Sequence, residues 1–207
     1  MFVITADQVG SRREPDRTGA LVADLSEKFG DGLMLPVDQT AGDEVQLVTR
    51  SAETALAIVL DTTRTGRWSV GLGVGDIRSP LPDAARKASG SAFIAARDAV
   101  GAAKRADGRF ALRAAPLTTR VTVADVEPLL RLLVLIRERR TEPGWEVVEL
   151  VRSGRQQKEA AALLDISPAA VSARLKAAMW RAEEEAVPPL VRLLKELDGE
   201  ATHTPPE

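Results

Sequence analysis

The chain has 207 residues, enough for one or two domains with a sizeable core. Its net charge of -2 gives no strongly basic surface, so any affinity for DNA must come from a local patch. The absence of cysteine excludes disulfides and thiolate metal sites. Nothing at the N-terminus is typical of a signal peptide and no apolar run reaches membrane-spanning length, so we expect a cytoplasmic protein that does not bind membranes.

The first half of the chain alternates short apolar runs with helical patterns. Strands are predicted at 2–6, 33–37, 45–48 and 68–74, and helices at 18–29, from an N-cap at Ser51 to residue 60, and at 90–105. The segment 109–123 is ambiguous and could hold one or two strands. The order strand, helix, strand, strand, helix, strand matches a ferredoxin-like α/β sandwich, in which helices cover one face of an antiparallel sheet.

From Asp125 onward the pattern becomes entirely helical, with Pro143-Gly144 separating two helices. We therefore predict an α/β domain at 1–123, an all-α domain at 124–200 and a disordered tail at 201–207. The last helix, 187–197, carries an apolar stripe suited either to dimerisation or to packing inside its own chain.

Carboxylates follow the first strand and occupy the central hairpin. Asp7 follows a buried run, and Asp43 and Glu44 lie in the turn before the next strand. Since these elements are neighbours in a ferredoxin-like sheet, the side chains could form an oxygen site for Mg²⁺ or Mn²⁺, and such a metal usually holds a nucleoside triphosphate. Plain turn and surface roles for all three acids stay open.

Small and cationic residues next to these acids could contact the phosphates through backbone N–H groups and side chains. The candidates for binding the nucleotide are Gln8, Gly10, Ser11, Arg12 and Gly42.

Several segments resemble known families. Residues 4–11 (ITADQVGS) resemble the opening of class III nucleotidyl cyclases, and 42–45 (GDEV) are similar to their second metal motif and to the GGDEF motif of diguanylate cyclases. Residues 71–76 and 90–97 resemble the cyclase strand and helix that follow. Together with the C-terminal helices, the chain most resembles the SatD family. The resemblance implies a cyclase-like α/β domain followed by a helix-turn-helix domain.

Some positions depart from the cyclase pattern. Ile94, expected to be a core residue, stands about where cyclases have an asparagine, and Arg97 lies one residue early. Ala41 replaces the first glycine of GGDEF, and Val45 replaces its phenylalanine. We therefore expect little or no cyclase turnover, even if a metal or nucleotide site persists.

Residues 156–176 have the pattern of two short helices joined by a tight turn. Ser167 is a good N-cap and Pro168 suits the first helical position, so a helix is predicted from 168 to about 181. Val171, Leu175 and Ala178 would face inward. This resembles a DNA-binding helix-turn-helix, whose second helix enters the major groove. A pair of helices used only for packing is the alternative.

The candidate DNA contacts lie on the first helix and on the outward face of the second. They are Arg155, Gln156, Lys158, Ser167, Ala169, Ala170, Ser172, Ala173, Arg174 and Lys176. Because so few of these residues are basic, we expect two copies to bind duplex DNA as a homodimer. The predicted function is a DNA-binding regulator with a degenerate cyclase-like sensor or dimerisation domain. An active nucleotidyl cyclase with an accessory helical domain is the alternative.

Overall fold

The computed structural model describes residues 1–40, 42–116 and 119–199. Its sheet has five strands in the order β2-β3-β1-β4-β5. Neighbouring strands are antiparallel except β4 and β5, which are parallel. The strands are β1 (Phe2–Gln8), β2 (Asp38–Gln39), β3 (Glu44–Thr49), β4 (Trp68–Val74) and β5 (Phe110–Ala114).

Eight α-helices are described besides the sheet, so the predicted α/β class is confirmed. The helices are α1 (Thr18–Phe29), α2 (Ala52–Thr63), α3 (Ser91–Ala103), α4 (Val123–Glu138), α5 (Glu142–Arg152), α6 (Gln157–Leu163), α7 (Pro168–Ala177) and α8 (Trp180–Leu197). Among these helices, none is long and apolar enough to cross a membrane.

Helices cover both faces of the sheet, which corrects the expectation of one covered face. Phe2 and Ile4 of β1 share a core cluster with apolar residues of α1, α2, α4 and α8. Val3 points to the other face, where it joins Ala92 and Ala96 of α3. Successive strand residues alternate between faces, so β1, which is almost wholly buried, contributes to both clusters.

Glycines in β4 bring α3 unusually close to the sheet. A Cβ built on Gly73 would lie 2.3 Å from the carbonyl oxygen of Ala92 and 2.3 Å from the amide nitrogen of Ala96. One on Gly71 would lie 2.2 Å from the amide nitrogen of Val100. Residues without side chains are therefore needed where the backbone of α3 rests on β4.

The core around the sheet contains residues on both sides of position 123, including Phe110 of β5, Leu130 of α4 and Leu194 of α8. The apolar stripe of α8 is thus buried within its own chain. A second cluster is built by α5, α6 and α7 around Trp145 and Val171. The domain boundaries stay a prediction. Residue 200, the tail 201–207 and Ala41 lie outside the described residues.

Several predicted bounds were wrong. Segment 33–37 contains no strand, since Pro36 has no N–H to donate to a ladder, and β2 is only two residues long. Pro143 opens α5 at its first turn instead of ending a helix. α7 ends at Ala177 rather than 181 because Met179 takes a left-handed conformation (φ 53°). α8 then starts at Trp180 and runs through two prolines.

Candidate functional site

A cavity of about 570 Å³ opens where β1 ends. It brings together most of the residues predicted for a metal and a nucleotide, although they come from two separate segments of the chain. The lining residues are Asp7, Gln8, Gly10, Ser11, Arg12, Arg13, Asp43 and Lys104.

The loop after β1 is held by hydrogen bonds to its own strand. The backbone N–H of Gln8 donates to the carbonyl oxygen of Asp43 at 3.1 Å, which places the hairpin beside the end of β1. The buried side chain of Gln8 donates to the carbonyl oxygen of Pro15 at 2.8 Å and accepts from the N–H of Arg17 at 2.9 Å. Both ends of the Gln8 amide are thus used to fix the loop that carries Gly10 to Arg13.

Lys104 is the member of this site that sequence reasoning missed. It follows α3, and its Nζ lies 2.7 Å from Oδ2 of Asp7. No local motif surrounds it, because only the packing of α3 on the sheet brings residues 7 and 104 together. The cavity therefore has three cationic side chains, Arg12, Arg13 and Lys104, against two carboxylates. This balance suits a phosphate group together with a bound cation.

Glu44 and Gly42 do not line the cavity. Glu44 is the cross-strand partner of Asp7, but its Oε1 accepts a hydrogen bond from Oγ1 of Thr40 at 2.9 Å. Gly42 has a positive φ of 78°, and its carbonyl oxygen accepts from the side chain of Gln39 at 2.8 Å. Both residues therefore shape the hairpin that presents Asp43.

Two carboxylates remain as direct ligand candidates, Asp7 and Asp43. Within the described part of the chain, no group of three or more His, Cys, Asp or Glu side chains is gathered closely enough to hold a metal ion. Mg²⁺ is often bound through one or two carboxylates plus substrate phosphates, and the pair fits that mode.

Ile94 and Arg97 lie away from this cavity. Ile94 is 67% exposed, so the expectation that it belongs to the core was wrong, and Arg97 is also exposed on α3. Ile94 precedes Lys104 by ten residues, which corresponds to about 15 Å along a helix. Neither residue lines the cavity.

The predicted pair of short helices is present as α6 and α7. Oγ of Ser167 accepts from the backbone N–H of Ala170 at 3.1 Å, and Pro168 is the first residue of α7. Asp165 makes the turn with a positive φ of 51°. Val171, Leu175 and Ala178 are buried as predicted, against Ala160 and Ala161 of α6 and Trp145 of α5.

The opposite side of α7 faces solvent. Among the candidate DNA contacts, Ala170 and Arg174 are half-buried, and Nη1 of Arg174 lies 3.5 Å from Oε2 of Glu146. The remaining candidates are all exposed: Arg155, Gln156, Lys158, Ser167, Ala169, Ser172, Ala173 and Lys176.

Buried charges join the α5–α7 unit to the rest of the chain. The carboxylate of Glu183, 3% exposed, accepts hydrogen bonds from Arg137, Arg140 and Arg152. Arg137 also donates to the carbonyl oxygen of Leu60 in α2, at 3.1 Å. Burial lowers the pKa of Arg137 to about 10, against the opposing effect of Glu183. We call Arg137, Arg140, Arg152 and Glu183 the arginine cluster.

Arg140 ties this cluster to α7, because its guanidinium donates to the carbonyl oxygen of Ala178 at 2.8 Å. The guanidinium groups of Arg64, Arg137 and Arg140 also stack on the ring of Trp145, at 4.1, 4.8 and 4.3 Å from its centroid. The sequence contains no motif for this cluster, since its members come from α4, the α4–α5 connection, α5 and α8.

Comparisons of the chain with protein-family models, with curated proteins and with solved structures gave no match.

Proposed function

We propose that this protein is a DNA-binding regulator of the SatD type, in which α6 and α7 form a helix-turn-helix and the α/β part is a degenerate cyclase-like sensor. The observation that carries the proposal is the exposed face of α7, opposite the buried Val171 and Leu175. The proposal also draws support from β1 to β4, whose sheet order and antiparallel pairing are those of a ferredoxin-like sandwich.

Small side chains give α7 a shape suited to a groove. Because Ala169 and Ala173 carry only methyl side chains, the backbone of α7 can approach base edges closely. Oγ of Ser167 accepts the capping hydrogen bond, and its O–H remains able to donate to a phosphate. Arg174 would have to leave Glu146 to reach a base, and their separation of 3.5 Å makes that a weak contact to lose.

Two copies would be needed for firm binding. Only four of the candidate DNA contacts are cationic: Arg155, Lys158, Arg174 and Lys176. One of them, Arg174, lies beside Glu146. Each neutralised phosphate adds a salt-dependent increment of affinity, so one copy would bind weakly. A homodimer placing two α7 helices about 34 Å apart would add the contacts of both half-sites.

Fluorescence anisotropy on duplex DNA at two salt concentrations tests the proposal. Arg174→Ala is expected to cost about 1–3 kcal/mol if it reads a base, and less, equally on all sequences, if it touches phosphate. The matched control removes two exposed arginines of the α/β part, Arg78→Ala with Arg97→Ala. The proposal fails if duplex does not bind at low salt, or if Arg174→Ala with Lys176→Ala binds no more weakly than the control.

The sensor would hold a nucleoside triphosphate with Mg²⁺ or Mn²⁺ in the cavity at the end of β1. Asp7 and Asp43 would hold the cation, which would neutralise the phosphates, while Arg12 and Lys104 would pair with phosphate oxygens. Lys104 would exchange its contact with Asp7 for one with the nucleotide, and Asp7 would then be free for the cation.

Calorimetric titration of MgATP and MgGTP measures this binding directly. Asp7→Asn with Asp43→Asn is expected to abolish the heat, whereas the same change at two acids outside the cavity, Asp31→Asn with Asp107→Asn, is expected to preserve it. Equal heats for both double variants would refute the site.

Nucleotide turnover is the second candidate function, favoured by the gathering of carboxylates and cations around one cavity. We expect turnover to be absent, because Ile94 has no hydrogen bond to offer a developing charge and lies away from the cavity with Arg97. Product formed from ATP or GTP with Mn²⁺ at an ordinary enzymatic rate, roughly 1 per second or more, would establish the enzyme instead.

A further inference from the structure

A second cavity, of about 590 Å³, lies between α2 and α8. Most of its wall is apolar, formed by Phe29, Leu56, Leu60, Val187 and Val191. This volume and lining are typical of sites for small organic molecules. The cavity shares no residue with the one at the end of β1 and contains none of the candidate DNA contacts.

Positive charge is in excess at one end of this cavity. Arg137, Arg152 and Glu183 of the arginine cluster all line it. With Arg140 the cluster has three guanidinium groups for one carboxylate, and the buried Nε of Arg137 has no hydrogen-bond partner among the described residues. Surplus buried charge is costly unless an anion pairs with it, so this end of the cavity favours an anionic group.

The other charged residues of the wall are matched or exposed. Lys28 pairs with Asp24 and Asp61, and Glu53 pairs with Lys195. Glu184 is exposed. Among the buried charges of the wall and the arginine cluster, the unmatched ones are thus guanidinium groups, those of Arg137 and Arg140.

Arg152 is the accessible member of the cluster. Its side chain is 44% exposed, it donates to Glu183 at 2.7 Å, and its guanidinium lies 5.1 Å from the ring centroid of Trp180. The remaining N–H groups of this guanidinium leave room for a second carboxylate beside Glu183.

We propose that this cavity binds a small amphipathic organic acid, with the apolar body against Leu56, Leu60 and Val191 and the carboxylate on Arg152. Helices α2 and α8 both line the cavity, and α8 begins two residues after the α7 C-cap at Ala178. A ligand in this cavity would contact α2, which packs on the sheet, and the arginine cluster, which is hydrogen-bonded to the C-terminal end of α7. The proposal does not depend on DNA binding.

Decanoate is the probe, measured by calorimetry on the full chain without DNA. Decan-1-ol and decyltrimethylammonium carry the same chain with a neutral and a cationic head. We expect decanoate to bind, the alcohol to bind about tenfold more weakly, and the cation not to bind. No decanoate binding, or equal binding of all three, would overturn the proposal.

Two variants locate the bound probe. Arg152→Met removes the charge but keeps an unbranched side chain and is expected to weaken decanoate binding about tenfold. Arg78→Met, at an exposed arginine outside the cavity, is expected to leave decanoate binding unchanged. Ala57→Trp, at an exposed position of α2 on the cavity wall, is expected to block binding, with Ala57→Ser as its control. Unchanged binding in both Arg152→Met and Ala57→Trp would overturn the proposed location.

Discussion

Two helices of this protein, α3 and α7, are rich in alanine and have opposite surroundings. Ala92 and Ala96 of α3 are fully buried against the glycines of β4, whereas Ala169 and Ala173 of α7 face solvent. Small residues on a helix let another backbone come close. In α3 that backbone is the sheet of the same chain. In α7 both alanines are exposed among the described residues, and we propose that DNA supplies the neighbouring backbone.

The two helices are also held differently. α3 is fixed by direct backbone contact with β4 along most of its length. α7 packs on α5 and α6 through a small cluster of its own, and its C-terminal end is tied by Arg140 to the arginine cluster. Close backbone contact with the sheet therefore fixes α3, whereas a small apolar cluster, an N-cap and buried charge fix α7.

The largest expected effect comes from the arginine cluster. Glu183→Gln should lower the free energy of unfolding by about 3–5 kcal/mol, because three guanidinium groups lose their buried anion. Denaturant unfolding measures this, with Glu184→Gln at the next, exposed position expected within about 0.5 kcal/mol of the parent. Equal effects of the two changes would mean that charge does not hold α7 in place.

Gly73→Ala tests the contact of α3 with the sheet. The added methyl group would overlap the backbone of Ala92 and Ala96, so we expect a loss of about 1–3 kcal/mol in unfolding free energy. Gly101→Ala is the control: it lies in α3 with no neighbour within 4 Å among the described atoms, and we expect it to gain up to about 1 kcal/mol. Similar changes in unfolding free energy for the two variants would show that close contact between the backbones of α3 and β4 does not fix α3.

The N-cap of α7 should contribute less to the stability of the protein than the arginine cluster or the contact of α3 with the sheet. Ser167→Ala removes the acceptor for the N–H of Ala170 and is expected to cost about 1 kcal/mol of stability, measured by thermal or denaturant unfolding. Ser172→Ala on the exposed face of the same helix should stay within about 0.5 kcal/mol. If the two serines prove equivalent, the start of α7 is set by packing and not by its cap.

Ala173→Leu should have almost no effect on stability, within about 0.5 kcal/mol, because its side chain points to solvent. On the proposed function the same change should weaken DNA binding at least about tenfold, since the added bulk keeps α7 away from the groove. Ala162→Leu, exposed on α6, is the control for added apolar surface. Full DNA affinity in Ala173→Leu would leave α7 as a packing element.

Local sequence determined much of α7. Ser167 and Pro168 mark its start, and the spacing of Val171 and Leu175 identifies its buried side, because capping and helical period act between residues a few positions apart. The end of the helix was not predictable in this way, since Met179 adopts a left-handed conformation without glycine. The apolar run at 2–6 likewise indicated the buried strand β1.

The tertiary structure alone decided which distant residues meet. Lys104 reaches Asp7 because α3 crosses the second face of the sheet, a face that the pattern of strands and helices had left uncovered. Arg137 of α4, Arg140 of the α4–α5 connection and Arg152 of α5 converge on Glu183 of α8. In the sequence, each arginine looks like an ordinary surface charge. Pairings of this kind depend on the packing of helices and connections across many residues, and no period or motif within one segment encodes them.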